Sequence, residues 1–216
     1  MSLYHLESIF KPESIAVIGA SRTEGSIGRA LMQNLRQAEF AGDIYPVNPK
    51  YDDLSGYQAY PAIGDVPAPV DLAIIAVPIG NVPGIVEGCV DAGVKGSIII
   101  SAGGKETGDK GRELEEKIQS KAQAGGLRII GPNCMGIICP DRNLNASFAA
   151  HMPLNGSLAF ISQSGAICSA MLDLSLQEKM GFRYFISIGS MLDVDFADLL
   201  DYVGNDPQVK SVLLYI

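Results

Sequence analysis

Short, uninterrupted runs of apolar and β-branched residues recur along the chain, and stretches of helical character separate them. The runs show no alternation of polar and apolar residues, which is typical of strands buried on both faces of a parallel sheet. They predict strands over residues 15–19, 44–47, 71–77, 96–101 and 127–130, with helices over 26–38, 80–92 and 108–124. This alternation predicts an α/β fold built on a doubly wound, Rossmann-like parallel sheet.

A stretch rich in glycine and proline, residues 131–156, interrupts the alternation. We place a domain boundary near 143–155 and predict two units, residues 1–145 and 146–216. The second unit resumes the alternation, with predicted strands at 157–161, 183–188 and 209–216 and helices at 165–179 and 195–204. Because the chain ends inside an apolar strand that no following helix covers, we expect it to be part of a longer protein.

The charge balance and the residue usage exclude several classes of protein. With 16 Lys and Arg against 24 Asp and Glu, the net charge is −8, so we expect no nucleic acid or anionic membrane as a partner. The sequence holds neither a membrane-length apolar segment nor a secretory signal at MSLYHLESIF, and we expect a cytoplasmic protein. The four cysteines form no CxxC pair, so we expect no metal site.

The turn after the first predicted strand is rich in glycine and leads into a helix. It runs from Gly19 through Ala20 and Ser21 to Gly25-Ser26-Ile27-Gly28. Backbone N–H groups in such a turn approach an anion closely, and the helix N-terminus adds partial positive charge. The turn therefore predicts a phosphate site, although it departs from the strict G-x-G-x-x-G fingerprint. A tight turn that binds no ligand is the alternative.

The residues after the second predicted strand bear on which nucleotide binds. Dinucleotide enzymes that use NAD place an acidic residue there for the ribose hydroxyl. This chain has Asn48-Pro49-Lys50 instead. An uncharged residue next to a lysine suits a ribose that already carries a phosphate, as in coenzyme A (CoA) or NADP. A solvated surface lysine is the alternative for Lys50.

Further candidates stand at the ends of other predicted strands. They are Val77-Pro78, Ser101-Ala102-Gly103 and Asn133 in the first unit, and Ser162-Gln163-Ser164-Gly165-Ala166 in the second. Carboxyl ends of parallel strands meet at one edge of a sheet, so we expect the first three segments to face one crevice. The serine-rich segment opens a helix and predicts a second anion site. A plain serine N-cap is its alternative.

Taken together, these motifs resemble a known family. GASRTEGSIG, VNPK, ISAGGKETG, GPNCMG, SQSGA and GSMLDVDFADLLDY occur in the order seen in nucleoside-diphosphate-forming acyl-CoA synthetases, the group that contains succinyl-CoA synthetase α chains and ADP-forming acetyl-CoA synthetases. The resemblance covers essentially the whole chain. It departs from the family pattern at Ser190, where an asparagine is usual.

The resemblance implies a CoA-binding Rossmann domain followed by part of a flavodoxin-like succinyl-CoA synthetase domain. The strand-end residues named above would bind CoA or acetyl-CoA, and residues 162–166 would face a phosphohistidine that lies beyond this chain. It also implies a small carboxylic acid as substrate, ATP or ADP with Mg bound outside these residues, and an oligomer or a fused or paired ATP-grasp region. No catalytic residue is expected within the chain, which alone should be inactive.

Two alternatives from other functional classes remain. The segments LESIFKPESIAVIGAS and SLAFISQSGAICSAMLD are also similar to bacterial fusions of a synthetase-like region with a GNAT protein lysine acetyltransferase, in which the region senses acyl-CoA. An NAD(P)-dependent oxidoreductase is the other alternative, and Asn48 disfavours it because the acidic residue is missing.

Overall fold

A computed structural model describes residues 4–216, which form two five-stranded sheets, one two-stranded sheet (β3-β4) and six α-helices. The first half contains α1 Leu6–Phe10, β1 Ser14–Ile18, α2 Ile27–Gln37, β2 Asp43–Val47, β3 Asp53–Leu54, β4 Tyr57–Gln58, β5 Leu72–Ile75, α3 Val82–Asp91, β6 Gly96–Ile99, α4 Asp109–Gly125 and β7 Arg128–Ile130. The second half contains β8 Gly136–Cys139, β9 Leu144–Ser147, β10 Leu154–Ser162, α5 Gly165–Gln177, β11 Gly181–Ser187, α6 Phe196–Gly204 and β12 Ser211–Tyr215.

The first sheet has the order β2-β1-β5-β6-β7, and every neighbouring pair is parallel. Its central strands β1, β5 and β6 are buried along their whole length, as their continuous apolar runs predict. Helices α3 and α4 cover one face, and α1 and α2 cover the other. The predicted doubly wound α/β fold is therefore confirmed.

The second sheet has the order β12-β10-β11-β8-β9 and is mixed. The strands β10, β11 and β12 are parallel, whereas β8 is antiparallel to β11 and β9 is antiparallel to β8. The hairpin β8–β9 lies within residues 131–156, the stretch that interrupts the predicted alternation, and the sequence did not predict it. Each hairpin strand has only four residues, and Pro140 between them is typical of a loop, so the sequence gives no strand signal here. Both strands are nevertheless fully buried.

The hairpin affects the predicted boundary between the two units. The position 145/146 falls inside β9, and both hairpin strands belong to the second sheet. Since pairing in a sheet does not by itself define a folding unit, the division at 145/146 stays a prediction. One apolar cluster joins α1 and α2 to residues of both sheets, and the Phe10 ring stacks on Tyr202 with ring centroids 4.7 Å apart. The two halves share a core.

The segment before α6 also connects the two halves. The backbone N–H groups of Ser190, Leu192 and Val194 donate to the carbonyls of Pro132, Gly131 and Ile129 at 2.8, 3.0 and 3.1 Å. The segment thus runs along the free edge of β7 and its extension. Ser190, which departs from the family pattern, takes part through its backbone, and its carbonyl accepts a hydrogen bond from Lys105 Nζ at 2.7 Å.

Within residues 4–216, no helix has both the length and the apolar character needed to span a bilayer.

Candidate functional site

A cavity of about 800 Å³ lies at the carboxyl ends of the first-sheet strands and extends to the start of α5. Most of the predicted site residues line it: Gly19, Ser21, Ser26, Ile27, Gly28, Asn48, Val77, Pro78, Ser101, Ala102, Asn133, Gln163, Gly165 and Ala166. The others, which do not line it, are Ala20, Gly25, Pro49, Lys50, Gly103, Ser162 and Ser164. Segments far apart in sequence therefore meet around one space.

The first glycine-rich turn needs its glycines at Gly19 and Gly28. Gly19 has φ +94°, and a Cβ there would lie 2.4 Å from the Ala76 carbonyl oxygen. A Cβ on Gly28 would lie 1.9 Å from the Gly19 carbonyl oxygen. The first turn of α2 consequently packs directly on the end of β1, and Ser26 caps the helix by accepting the Arg29 N–H.

Asn48 braces this turn from the neighbouring strand. Its Nδ2 donates to the Ala20 carbonyl at 2.8 Å, and its Oδ1 accepts the Lys50 N–H at 3.0 Å. Both ends of the amide are used, so the side chain stabilises the turn and the start of the following loop at once. Lys50 itself is exposed beside the cavity and does not form part of its wall.

The ends of β5, β6 and β7 are linked to one another at the cavity floor. Ser101 Oγ donates to the Val77 carbonyl at 2.6 Å, and the Asn133 N–H donates to the Ser101 carbonyl at 3.0 Å. Asn133 adopts φ +55°, a left-handed conformation that asparagine tolerates better than most residues. These bonds fix three strand ends side by side under any bound ligand.

At the second predicted anion site, the serine hydroxyls act within the turn. Ser164 caps α5 by accepting the Ile167 N–H at 3.3 Å, and Ser162 Oγ accepts the Ser164 N–H at 3.0 Å. The N-cap interpretation is thus confirmed for Ser164. No acidic side chain caps this helix: Asp193 binds Arg128 and the Ile129 N–H, and Asp195 caps α6. The N-terminus of α5 remains open to the cavity through Gly165 and Ala166.

The wall of the cavity carries no charged side chain within residues 4–216. Two arginines directly follow wall residues in sequence: Arg22 follows Ser21, and Arg29 follows Gly28. The Arg22 guanidinium lies 5.5 Å above the Tyr51 ring centroid and pairs with Asp53, while Arg29 donates to the Arg22 carbonyl. A hydrogen bond with Ser21 lowers the pKa of Tyr51. Anionic groups of a ligand would therefore meet backbone N–H groups and side-chain hydroxyls and amides in the wall, with no charged side chain among them.

Sequence reasoning missed six residues of the wall: Ala76, Ile100, Cys134, Met135, Phe148 and Ser169. Phe148 follows β9, a strand that was not predicted, so no signal marked it. Ser169 lies one helical turn after Gly165 and was predictable from helix periodicity. Burial raises the pKa of the Cys134 thiol to about 12, so it stays neutral at pH 7 and serves as an apolar wall residue.

Comparison with known proteins identifies two family models in the chain. Residues 13–140 match the CoA binding domain, and residues 155–216 match the succinyl-CoA ligase like flavodoxin domain. The acetate–CoA ligase [ADP-forming] of Methanocaldococcus jannaschii is 47% identical over 99% of this chain and 30% of its own length. The α subunit of acetate–CoA ligase [ADP-forming] II from Pyrococcus furiosus is 42% identical over 98% of this chain and 46% of its own length.

A solved structure agrees with these relatives. It is the dinucleotide forming acetyl-coenzyme A synthetase 1 of Ca. Korarchaeum cryptofilum in complex with phosphate and ADP. It superposes with a TM-score of 0.94 at 40% identity, over 98% of this chain and 45% of that one. The chain thus spans 30% and 46% of the length of the two curated relatives described above.

Proposed function

Because the chain belongs to the CoA binding domain family and continues into a succinyl-CoA ligase like flavodoxin domain, we propose that it supplies the CoA site of an ADP-forming acyl-CoA synthetase. Over its full length it is α-subunit-like. The whole enzyme would interconvert an acyl-CoA, phosphate and ADP with a carboxylate, CoA and ATP. Within the whole enzyme, this chain would bind CoA and position a phosphoryl group.

The observation that carries this proposal is one cavity bordered by two helix N-termini. At one side are the 19–28 turn and the start of α2, and at the other is the start of α5. Helix N-termini favour anions because their N–H groups lack intrahelical partners and the dipole adds positive charge. A cavity with two such ends suits a ligand with phosphates at one end and a reaction that handles phosphate at the other.

CoA fits the 19–28 side better than NAD does. No acidic side chain lines the cavity within residues 4–216, so the wall lacks the carboxylate that NAD enzymes direct at the free ribose 2′-hydroxyl. Arg22, Arg29 and Lys50 lie within two residues of the wall residues Ser21, Gly28 and Asn48 in sequence, and we propose that their positive charge favours the phosphate on the ribose of CoA. The oxidoreductase alternative lacks this support.

The α5 side would hold the phosphoryl group during transfer. The open N–H groups at Gly165 and Ala166, together with Gln163, are the groups that would contact it. A single helix end contributes only about 0.3–1 kcal/mol of charge stabilisation, so phosphate alone should bind weakly and in a salt-sensitive way. The nucleotide and its Mg would bind to an ATP-grasp region of the enzyme that lies outside this chain.

The relatives described above are ligases and synthetases, and the acetyltransferase alternative gains no support from them. We also propose a small carboxylic acid as the substrate of the whole enzyme, because two of these relatives are acetate–CoA ligases.

Calorimetric titration of the chain with CoA, dephospho-CoA and NAD tests the proposal. We expect affinity to fall in that order. Asn48→Asp should weaken CoA binding, since it removes the bond to Ala20 and places a negative charge near the ribose phosphate. Asn205→Asp, an exposed change outside the cavity, is the matched control. Tighter binding of NAD than of CoA would contradict the CoA assignment.

A further inference from the structure

A second cavity, of about 460 Å³, lies between α1 and residues of the second half of the chain. It shares no wall residue with the proposed CoA cavity. Its volume falls within the range of about 300–1,000 Å³ that is usual for small-molecule sites. Unlike the CoA cavity, it has charged side chains in its wall, which consists of Glu7, Lys11, Arg142, Arg183, Tyr184, Tyr202, Asn205, Asp206 and Pro207.

Several polar side chains of this wall already have partners within the protein. Lys11 Nζ donates to Glu7 Oε1 at 2.6 Å, and Arg183 Nε donates to Asp206 Oδ2 at 2.8 Å. The Tyr184 hydroxyl donates to the same Asp206 oxygen at 2.9 Å. These groups are satisfied without a ligand.

The hydroxyl of Tyr202 has no such partner. The residue is only 9% exposed, and its hydroxyl is shielded from solvent and forms no hydrogen bond. Tyr184 lies close enough to affect the pKa of Tyr202, which burial raises, but it donates its own hydrogen to Asp206, and no hydrogen bond joins the two phenols. A buried hydroxyl without an acceptor costs free energy. An acceptor that enters the cavity would remove this cost.

Arg142 also has donors that the protein does not use. Its only ion pair among residues 4–216 joins Nε to Asp141 Oδ2 at 3.9 Å, which is too long for a hydrogen bond. The hydrogen bond from Lys11 lowers the pKa of Glu7, and the charge of Arg142 lowers it further. The same charge acts on Tyr202, so the guanidinium lies near both side chains. A guanidinium presents N–H donors in a planar fork that matches a carboxylate.

The acidic groups around the cavity limit the charge of a ligand. The three cations of the wall face three carboxylates, those of Glu7, Asp206 and the adjacent Asp141, which pairs with Arg183. This balance leaves no excess positive charge for a phosphate group, which carries about −1.5 to −2 at neutral pH. A monoanionic carboxylate needs only the one guanidinium fork that Arg142 offers.

We propose that this cavity binds a small monocarboxylate, whose oxygens accept hydrogen bonds from Arg142 and Tyr202. The side chains of Glu7 and Arg142 are 70% and 41% exposed, so both can rotate to admit the ligand to the Tyr202 hydroxyl. The ligand would contact α1 and the second half of the chain together. The inference does not depend on the proposed CoA site, because the two cavities have separate walls.

An NMR titration of the full chain with sodium acetate tests the proposal, with a parallel titration with sodium phosphate at the same ionic strength. Carbon-13 labels on the rings of the eight tyrosines report binding, and the signal that is missing from Tyr202→Phe belongs to Tyr202. Acetate should shift this signal until it saturates, and phosphate should bind more weakly. A Tyr202 signal that acetate does not move, or tighter binding of phosphate, would overturn the proposal.

Arg142→Gln should weaken acetate binding about tenfold, because it removes the charge-assisted hydrogen bonds. Arg112→Gln is the matched control, since this exposed arginine on α4 lies outside the cavity and should leave the affinity unchanged. An unaltered affinity in Arg142→Gln would mean that acetate binds without the guanidinium, contrary to the proposal.

Tyr202→Phe separates a ligand-binding hydroxyl from a structural one. It should weaken acetate binding about fivefold, measured at Tyr184, whose ring centroid lies 5.9 Å from that of Tyr202. Without acetate, its urea midpoint should equal or exceed that of the unmodified chain, because the hydroxyl has no partner to lose. A lower midpoint would show that the hydroxyl serves the fold, and the proposal would be wrong.

Discussion

Arg128 and Asp193 tie the end of the first sheet to the segment that precedes α6. The Arg128 Nε donates to Asp193 Oδ2 at 2.9 Å, and its NH2 group donates to Asp198 Oδ2 at 2.8 Å. The arginine side chain is only 14% exposed, and that of Asp198 is 6% exposed. One guanidinium therefore neutralises two carboxylates that are largely shielded from solvent.

Arg128→Ala should destabilise the chain by about 3–5 kcal/mol, because it leaves buried carboxylates without their partner. Urea unfolding followed by circular dichroism measures the change. Lys121→Ala is the control: it breaks an ion pair with Glu87 whose side chains are 34% and 58% exposed, and it should cost at most about 1 kcal/mol. Equal losses for the two variants would show that burial of the Arg128 pairs contributes little.

Asp206 should make stability depend on pH in the acidic range. Burial alone would raise its pKa, but hydrogen bonds from Arg183, the Gln208 N–H and Tyr184 outweigh burial and hold the pKa below its ordinary value. A carboxylate with a lowered folded-state pKa stabilises the protein above its unfolded pKa of about 3.9, and the stabilisation disappears as pH falls through the folded value.

Asp206→Asn should accordingly cost about 1.5–3 kcal/mol at pH 7, the usual range for hydrogen bonds to a charged group. The difference from the unmodified chain should narrow below about pH 4. Urea midpoints between pH 7 and pH 2.5 measure it, with the exposed Asp173→Asn as control. A difference that stays constant over this range would mean that the charge of Asp206 is not what stabilises the fold.

Gly28→Ala should destabilise the chain by about 1–3 kcal/mol and weaken CoA binding, because the new Cβ would displace the Gly19 carbonyl. Gly84→Ala, in α3, meets no atom within 4 Å. It should not destabilise the chain, and because Gly84 lies in the first turn of α3 the gain in stability should stay below about 0.5–1 kcal/mol, the value for a helix interior. Thermal unfolding measures the change in stability, and calorimetry measures the change in CoA affinity. An unaltered CoA affinity in Gly28→Ala would show that this turn does not contact CoA.

Lys50→Glu should weaken binding of CoA by about threefold to tenfold and binding of dephospho-CoA by less, since only CoA carries the ribose phosphate. Lys117→Glu, an equal charge reversal on the exposed face of α4, should change neither affinity. Similar losses for both ligands would make Lys50 a solvated lysine, as its exposed position also allows. Raising the ionic strength should reduce the difference between the effects of Lys50→Glu on CoA and on dephospho-CoA.

The sequence predicted the central strands β1, β5 and β6 well because both of their faces are buried. Short apolar runs bounded by turn signals are typical of such strands, and the observed β5 and β11, Leu72–Ile75 and Gly181–Ser187, overlap the predicted strands at 71–77 and 183–188. Parallel strands also bring their carboxyl ends to one edge, which is why Gly19, Val77 and Ser101 were found together.

The hairpin β8–β9 and the apolar residues of the cavity wall could not be predicted from apolar runs and strand ends. Strands of four residues around Pro140 give no periodicity to detect, so the position of Phe148 at the cavity depended on an element that could not be seen. Lys50 shows a second limit. A strand end fixes where the backbone goes, but it does not determine whether the following side chain turns toward the ligand or toward water.

The backbone bonds from residues 190–194 to the edge of β7 have a consequence for any shorter form of the chain. If the polypeptide is cut between the two sheets, the carbonyls of Ile129, Gly131 and Pro132 lose the N–H groups that donate hydrogen bonds to them. The first sheet would then present an open strand edge, which is a template for pairing with other molecules. The CoA-binding half expressed alone should therefore self-associate, and its solubility depends on five residues that lie about sixty positions further along the chain.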